Sequence, residues 1–262
     1  MKLRAWALLT AFLLTAFLLP TAGLATPSAT DRPVHARVSG EADSESMFTL
    51  PPGGRLSVLL IAAQPRDTAY LLGAALLREH ERAQQVRLRA GLAHDLAELQ
   101  RSPSPVLAEA AASLSVWLQA HAPTGRIIPQ LMDMRLLQVQ PLQDPVLQQG
   151  DVVQLPARPT TVRVIGAVAQ ECTLDHEPRR DAKAYLRSCP ATVAADPDLL
   201  FVIQPDGRVQ QLGSAAWNRS DPQPVGPGGT VYVPLRVSAS NGVDEHFNEE
   251  FAAFIATQPI AP

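Results

Sequence analysis

Lysine is almost missing from this sequence. Lys2 and Lys183 are its only occurrences among 22 basic residues, the rest being arginine, and no stretch gathers the basic residues into a run or stripe. The formal charge is −3. Binding to a phosphate backbone needs a clustered cationic surface, so no nucleic-acid partner is expected. Catalytic signatures are missing too. There is no G-x-S-x-G elbow, no phosphate-cradling P-loop and no dinucleotide-binding glycine fingerprint. His35, His80, His94, His121, His176 and His246 lack both i, i+4 spacing and clustering, so neither a metal nor another cofactor is expected. Asp175-His176-Glu177 and Asp244-Glu245-His246 set carboxylates beside imidazoles, but neighbours in a helix or strand point apart, and these read as solvated faces. Nothing places two acids across a cleft of about 5–10 Å, as glycoside chemistry requires.

Long apolar runs are confined to the start. Lys2 and Arg4 precede an uncharged stretch from Ala5 to Leu19, followed by Pro20 and the small residues Ala22, Gly23 and Ala25. This is the order of a signal peptide with its cut near Ala25. The apolar run is short of the ~20 residues of a spanning helix, and no cysteine near the cut offers a lipid attachment point. Cleavage would move the formal charge from −3 to −5 and leave no transmembrane segment. The expected location is therefore periplasmic. The remaining chain is long enough for one large domain or two small ones.

The two cysteines, Cys172 and Cys189, are read first as a disulfide in such a compartment. A zinc site that used His176 as a third ligand lacks a fourth, and a pair of free thiols is the remaining alternative.

Hydrophobic periodicity outlines the elements. Val34–Gly40 reads as a strand, Phe48–Leu50 leads into the turn Pro51-Pro52-Gly53-Gly54, and the apolar run Leu56–Ala62 has the length of a buried strand. From Thr68 the spacing turns helical, with Leu88, Leu92, Leu96 and Leu99 on one stripe. Ser102-Pro103-Ser104-Pro105 breaks it, and a second helix carries Leu107, Ala111, Leu114 and Leu118 to about His121. Short strands are expected at Ile127-Ile128, Leu136–Val139, Val152–Leu155 and Val162–Val168. A small helix should lie at Ala182–Arg187, a hairpin at Leu199–Leu212 and a strand at Thr230–Leu235. Val243, Phe247, Phe251 and Phe254 then form an amphipathic stripe opposite Glu245, Glu249 and Glu250. It would pack on its own protein or dock on a partner; its acidic polar face argues against anionic lipid.

Two positions stand out as candidate binding residues. Arg126 sits where the helical hairpin rejoins the β structure, and a guanidinium in that crease could hold a carboxylate or phosphate bidentately or form a surface salt bridge. Trp217 could stack on a sugar ring or serve as a core or edge plug.

Several strings together resemble the GfcC-type group 4 capsule biosynthesis family. They include Thr124-Gly125-Arg126, Gly150–Val162, Val164–Val168, Ala195-Asp196-Pro197-Asp198, Val202–Gly207, Trp217-Asn218 and Pro227–Pro234. The second half is similar to the soluble-ligand-binding β-grasp modules of outer-membrane polysaccharide export proteins. The resemblance implies an α+β fold of two β-grasp (ubiquitin-like) domains, with a helical hairpin inserted in the first and a C-terminal amphipathic helix. The layout would be a signal peptide at 1–25, a first domain at 26–161 with the hairpin at about 68–122, a second domain at 162–240 and the helix at 241–257. It also implies a pocket beside the hairpin around Arg126. Cys172 and Cys189 depart from the family pattern. The function implied is non-catalytic help in assembly or export of capsular polysaccharide or exopolysaccharide, with the glycan, an outer-membrane export protein or both as partners. A periplasmic polysaccharide-modifying enzyme built around Arg126 and a purely structural partner of the export channel are the competing readings.

Overall fold

The computed structural model describes residues 32–128, 130–238 and 242–261; the signal-peptide reading lies outside them. Two sheets organise the chain. The first has strands β1 (Val34–Gly40), β2 (Met47–Leu50), β3 (Ala75–Leu77) and β4 (Val152–Leu155), in the order β2-β1-β4-β3. β1 pairs antiparallel with β2 and parallel with β4. Ala36, Val38, Val153 and Leu155 are fully buried beneath helix α1 (Leu56–Ala63). A parallel inner pair, an antiparallel hairpin and a helix across one face make this a β-grasp module.

Helix α1 occupies the run that was expected as a strand. Its buried residues, Leu56, Leu59, Leu60 and Ala63, follow the helical period, while Val58 and Ile61 are exposed. An apolar run of eight residues does not by itself separate the two periods. The deciding contact is remote. Arg55, the residue before the helix, provides no side-chain cap. Instead Asp144 accepts from Ser57 N–H at 3.0 Å and from Ser57 Oγ at 2.6 Å, satisfying a first-turn donor with a negative charge.

The expected strand at Leu136–Val139 is also helical. Asp133 Oδ1 accepts from the amides of Arg135 and Leu136 at 2.8 and 3.1 Å and starts α4 (Met134–Val139). This short helix buries Leu137 and leaves Val139 exposed. Ile127-Ile128 forms no strand; the ladder there is one bridge between Leu77 and Arg126.

The helical hairpin begins later than its apolar spacing suggests. Residues 71–73 form a 3₁₀ turn, and 75–77 add β3 to the sheet beside β4. Ala74, Ala75 and Leu76 are buried in succession, which one face of a helix would not allow. The hairpin itself is α2 (Arg82–Leu99) and α3 (Pro105–Ala120), with Pro105 in the first turn of α3.

The second sheet contains β5 (Thr161–Gly166), β6 (Cys172–Asp175), β7 (Leu199–Ile203), β8 (Val209–Gly213) and β9 (Thr230–Val233), in the order β6-β5-β9-β7-β8. β5 and β9 are the parallel inner pair, and α5 (Ala182–Tyr185) lies in the crossover. Gly166 is required here: its φ is +110°, and a Cβ would lie 2.1 Å from the Val233 carbonyl oxygen. β6 was not foreseen. Its outward residues Thr173 and Asp175 are polar and exposed, so it carries little hydrophobic pattern. Cys172 and Cys189 are bonded, their Cα atoms 6.1 Å apart, tying this edge strand to the segment after α5.

Helix α6 (Phe247–Ala256) carries the expected stripe, and Phe247, Phe251 and Phe254 are wholly buried. Trp117 of α3 lies 5.6 Å from the Phe251 ring and 6.3 Å from that of Phe254. The stripe thus packs on its own protein. Leu92, Leu96, Leu99, Leu107, Leu114 and Leu118 of the hairpin join one core with α6 and the second sheet, separate from the core under α1.

Phe251→Ala should cost about 3–5 kcal/mol in chemical denaturation, as a large ring is removed from a closed apolar site. Replacing both cysteines by serine should cost roughly 3 kcal/mol, from the loop-closure entropy restored to the unfolded chain, and reductant should then leave the variant's melting temperature unchanged.

Candidate functional site

Arg126 follows a backbone that few residue types could supply. Gly125 has φ +80°, and a Cβ there would come within 2.4 Å of the Arg78 carbonyl oxygen. Gln85 of α2 holds the segment from the other side. Its Oε1 accepts from the amides of Thr124 and Gly125 at 2.9 and 2.7 Å, and its Nε2 donates to the Arg126 carbonyl at 3.1 Å. Arg78, at the start of the hairpin, makes a bidentate pair with Asp151 at 3.0 and 2.8 Å, both side chains being nearly buried.

The Arg126 side chain is 5% exposed. Nη2 donates to the Pro205 carbonyl at 2.6 Å, in the turn between β7 and β8. Nη1 donates to the carbonyls of Ala256 and Gln258 at 3.2 and 3.3 Å, where α6 ends. The last carbonyls of a helix lack amide partners and carry the negative end of its dipole, so a cation there is favourable. Burial pulls the Arg126 pKa down to about 10, against the opposing charge of Asp206, and the group stays protonated at neutral pH. Among the described residues no carboxylate pairs with it; Asp206 pairs instead with Arg208 at 3.1 Å. The surface salt bridge considered for Arg126 is therefore replaced by a buried cation shared among three main-chain oxygens.

Two clefts flank this node. One, of about 560 Å³, is lined by Glu81, Gln84, Gln85, Leu88, Arg126, Ile127, Ile128, Ala253 and Thr257. The other, of about 460 Å³, draws Leu71, Leu72, Met132 and Asp133 from the first half of the chain and Asp206 and Arg208 from the β7–β8 turn. The residues after α6 run between the halves. The Thr124 hydroxyl donates to the Thr257 carbonyl at 2.6 Å. A Cβ on Gly73 would come within 2.7 Å of Ile260, and one on Gly228 within 2.6 Å of it.

Of the other residues weighed in the sequence, Trp217 is 77% exposed and is neither core nor plug. Sequence reasoning missed Gln85, Asp151, Pro205 and Thr257. Their partners lie about 40 to 130 residues away along the chain, and no local pattern marks them.

The comparisons with known proteins follow the same division. Residues 37–155 match the model described as "Capsule biosynthesis GfcC, N-terminal", and residues 170–259 match "Capsule biosynthesis GfcC C-terminal". The first match covers the first sheet and the hairpin; the second covers most of the second sheet and α6. A relative in Escherichia coli strain K12, "Uncharacterized protein YjbG", is 29% identical over 191 residues, covering 72% of this chain and 77% of that protein. With two β-grasp modules, an inserted hairpin and a buried C-terminal helix, each half matching its own model, the chain belongs to the GfcC capsule-biosynthesis family.

Proposed function

We propose that this protein is a non-catalytic periplasmic factor that assists assembly or export of capsular polysaccharide by holding a segment of glycan in the cleft beside Arg126. The observation that carries the reading is the lining of that cleft. Leu88, Ile127 and Ile128 offer apolar surface for the C–H faces of sugar rings, and Glu81 and Gln84 offer acceptors and donors for hydroxyls. Arg126 acts from beneath. Its guanidinium is committed to three carbonyls, so it shapes the floor rather than gripping the ligand.

A hydrolytic role is less well supported. It would need a second carboxylate across the cleft, about 5–10 Å from the first, and Glu81 is the one carboxylate in the lining. Docking on an export channel through α6 would require its three phenylalanines to leave a closed core.

Deleting the gene should reduce surface polysaccharide, and unchanged polysaccharide would overturn the proposal. Complementation with E81Q/Q84A should restore protein level and melting temperature but not surface polysaccharide. Arg126→Ala is expected to behave differently. Leaving three carbonyls without their donor should cost on the order of 3 kcal/mol, so protein abundance falls together with polysaccharide. Full complementation by E81Q/Q84A would remove the cleft from the mechanism.

A further inference from the structure

The exposed indole of Trp217 has no part in the cleft beside Arg126, yet the loop that carries it is tightly built. Gly213 N–H donates to Ser220 Oγ at 2.9 Å, and Ser220 N–H donates back to the Gly213 carbonyl at 3.1 Å, closing the loop at its base. Inside it, Ala215 N–H donates to Asn218 Oδ1 at 3.0 Å. Asn218 Nδ2 and Ser214 N–H both reach the Asp198 carbonyl at 2.8 Å, and Ser214 Oγ donates to the Pro197 carbonyl at 2.6 Å. Lys183 Nζ donates to the Gly213 carbonyl at 2.7 Å. A Cβ on Gly213 would lie 1.8 Å from the Asn218 carbonyl oxygen, so the closure tolerates only glycine. Trp217 makes none of these bonds and stands in solvent. A fixed frame around a large exposed aromatic means that little ordering remains to be done when a ligand covers it.

The same loop forms part of the wall of a cavity of about 270 Å³, through Ser214. Thr192, Asp196 and Arg236 line it as well. Asp196 Oδ1 is oriented by the amides of Asp198 and Leu199 at 2.8 and 3.2 Å. Among the described residues, neither the Asp196 carboxylate nor the exposed Arg236 guanidinium has an ion-pair partner within 4.0 Å. Most of the cavity wall is apolar, with Leu186, Leu199, Leu200 and Val233 among its residues, and the Thr192 and Ser214 hydroxyls already donate to the carbonyls of Ala167 and Pro197. Trp217 stands outside that wall on the loop that Ser214 joins to it, so the feature pairs an exposed aromatic face with an apolar hollow edged by a carboxylate and an unspent guanidinium. A uronic acid, with apolar C–H ring faces and a carboxylate, matches that combination of indole, apolar wall and guanidinium.

We propose that Trp217 and the cavity bearing Asp196 and Arg236 form a second saccharide subsite, distinct from the cleft beside Arg126. It takes an acidic oligosaccharide, one ring of which stacks on the indole while a carboxylate further along the chain meets Arg236. The two sites share no lining residue. The inference rests on the glycan-binding reading above, and its test separates the two.

The full chain without residues 1–25 is titrated calorimetrically with a hexamer of galacturonic acid and with a neutral glucose hexamer. Trp217 and the buried Trp117 are then its two tryptophans, so iodide quenching reports on Trp217. The acidic hexamer should bind and protect the indole from iodide. Trp217→Ala should weaken it about tenfold with an unchanged melting temperature. Arg236→Gln should weaken the acidic hexamer and leave the neutral one unaffected. Wild-type affinity in W217A, with loss of binding in E81Q/Q84A, overturns this subsite and leaves the cleft standing. Binding of neither hexamer by the wild-type protein overturns the subsite, and unaltered polysaccharide on gene deletion is the separate result that overturns the glycan reading.

Discussion

A buried guanidinium that meets three carbonyls and no carboxylate is the point on which the molecule turns. Arg126 enters from the first half of the chain and is claimed by the β7–β8 turn and by the end of α6. The carbonyls of Ala256 and Pro205 are buried, and there an unmet acceptor costs about 1–3 kcal/mol; that of Gln258 is part-buried. One cation therefore holds a turn and a helix end together. Its own burial is what depresses its pKa, with the charge of Asp206 opposing the shift, and the helix terminus it caps is a favourable place for a cation. Gln85 and Gly125 exist in this scheme to present it, one by bracketing the backbone and the other by adopting a conformation closed to other residues.

Around that node the chain order and the packing order diverge. The hairpin is inserted between β3 and β4 of the first sheet, but its leucines lie in the core of the second. The C-terminal residues return in the opposite sense, with Ile260 set against Gly73 and Gly228. Each half thus lends the other a piece it could not bury alone. Arg78–Asp151 secures the base of the inserted segment with a bidentate pair that is almost fully desolvated, an arrangement in which losing one partner is costly.

What was legible in the sequence followed the length of each pattern. α2, α3 and α6 repeat their apolar positions over several turns, and β1, β4, β5, β7 and β8 sit between strong turn signals; these elements lie close to where periodicity puts them. α1 and α4 are short apolar runs whose helical state depends on Asp144 and Asp133. The first of these caps comes from 87 residues away, beyond any window of local reading. β3 was absorbed into a helix because Tyr70–Leu77 fits both periods, and its pairing with β4 decided the matter. Arg126 could be picked out as a residue in a crease. That its partners are main-chain oxygens could not, since carbonyls leave no trace in residue identity. Trp217 was visible as a candidate and ambiguous between core and surface until the closed loop around it was seen.

The pairing of β1 with β4 has a kinetic side. Arg37 lies opposite Val152 in parallel register, so the inner pair of the first sheet joins residues more than a hundred positions apart, with the whole hairpin between them. The hairpin in turn completes its core only when the second sheet and α6 have been made. Contacts of such long separation slow folding, because loop closure must precede any return from pairing. The chain that emerges first is thus among the last to be finished. During that interval the hairpin leucines and the α6 phenylalanines are without their cover, and apolar surface of that kind is where unfinished chains stick to one another.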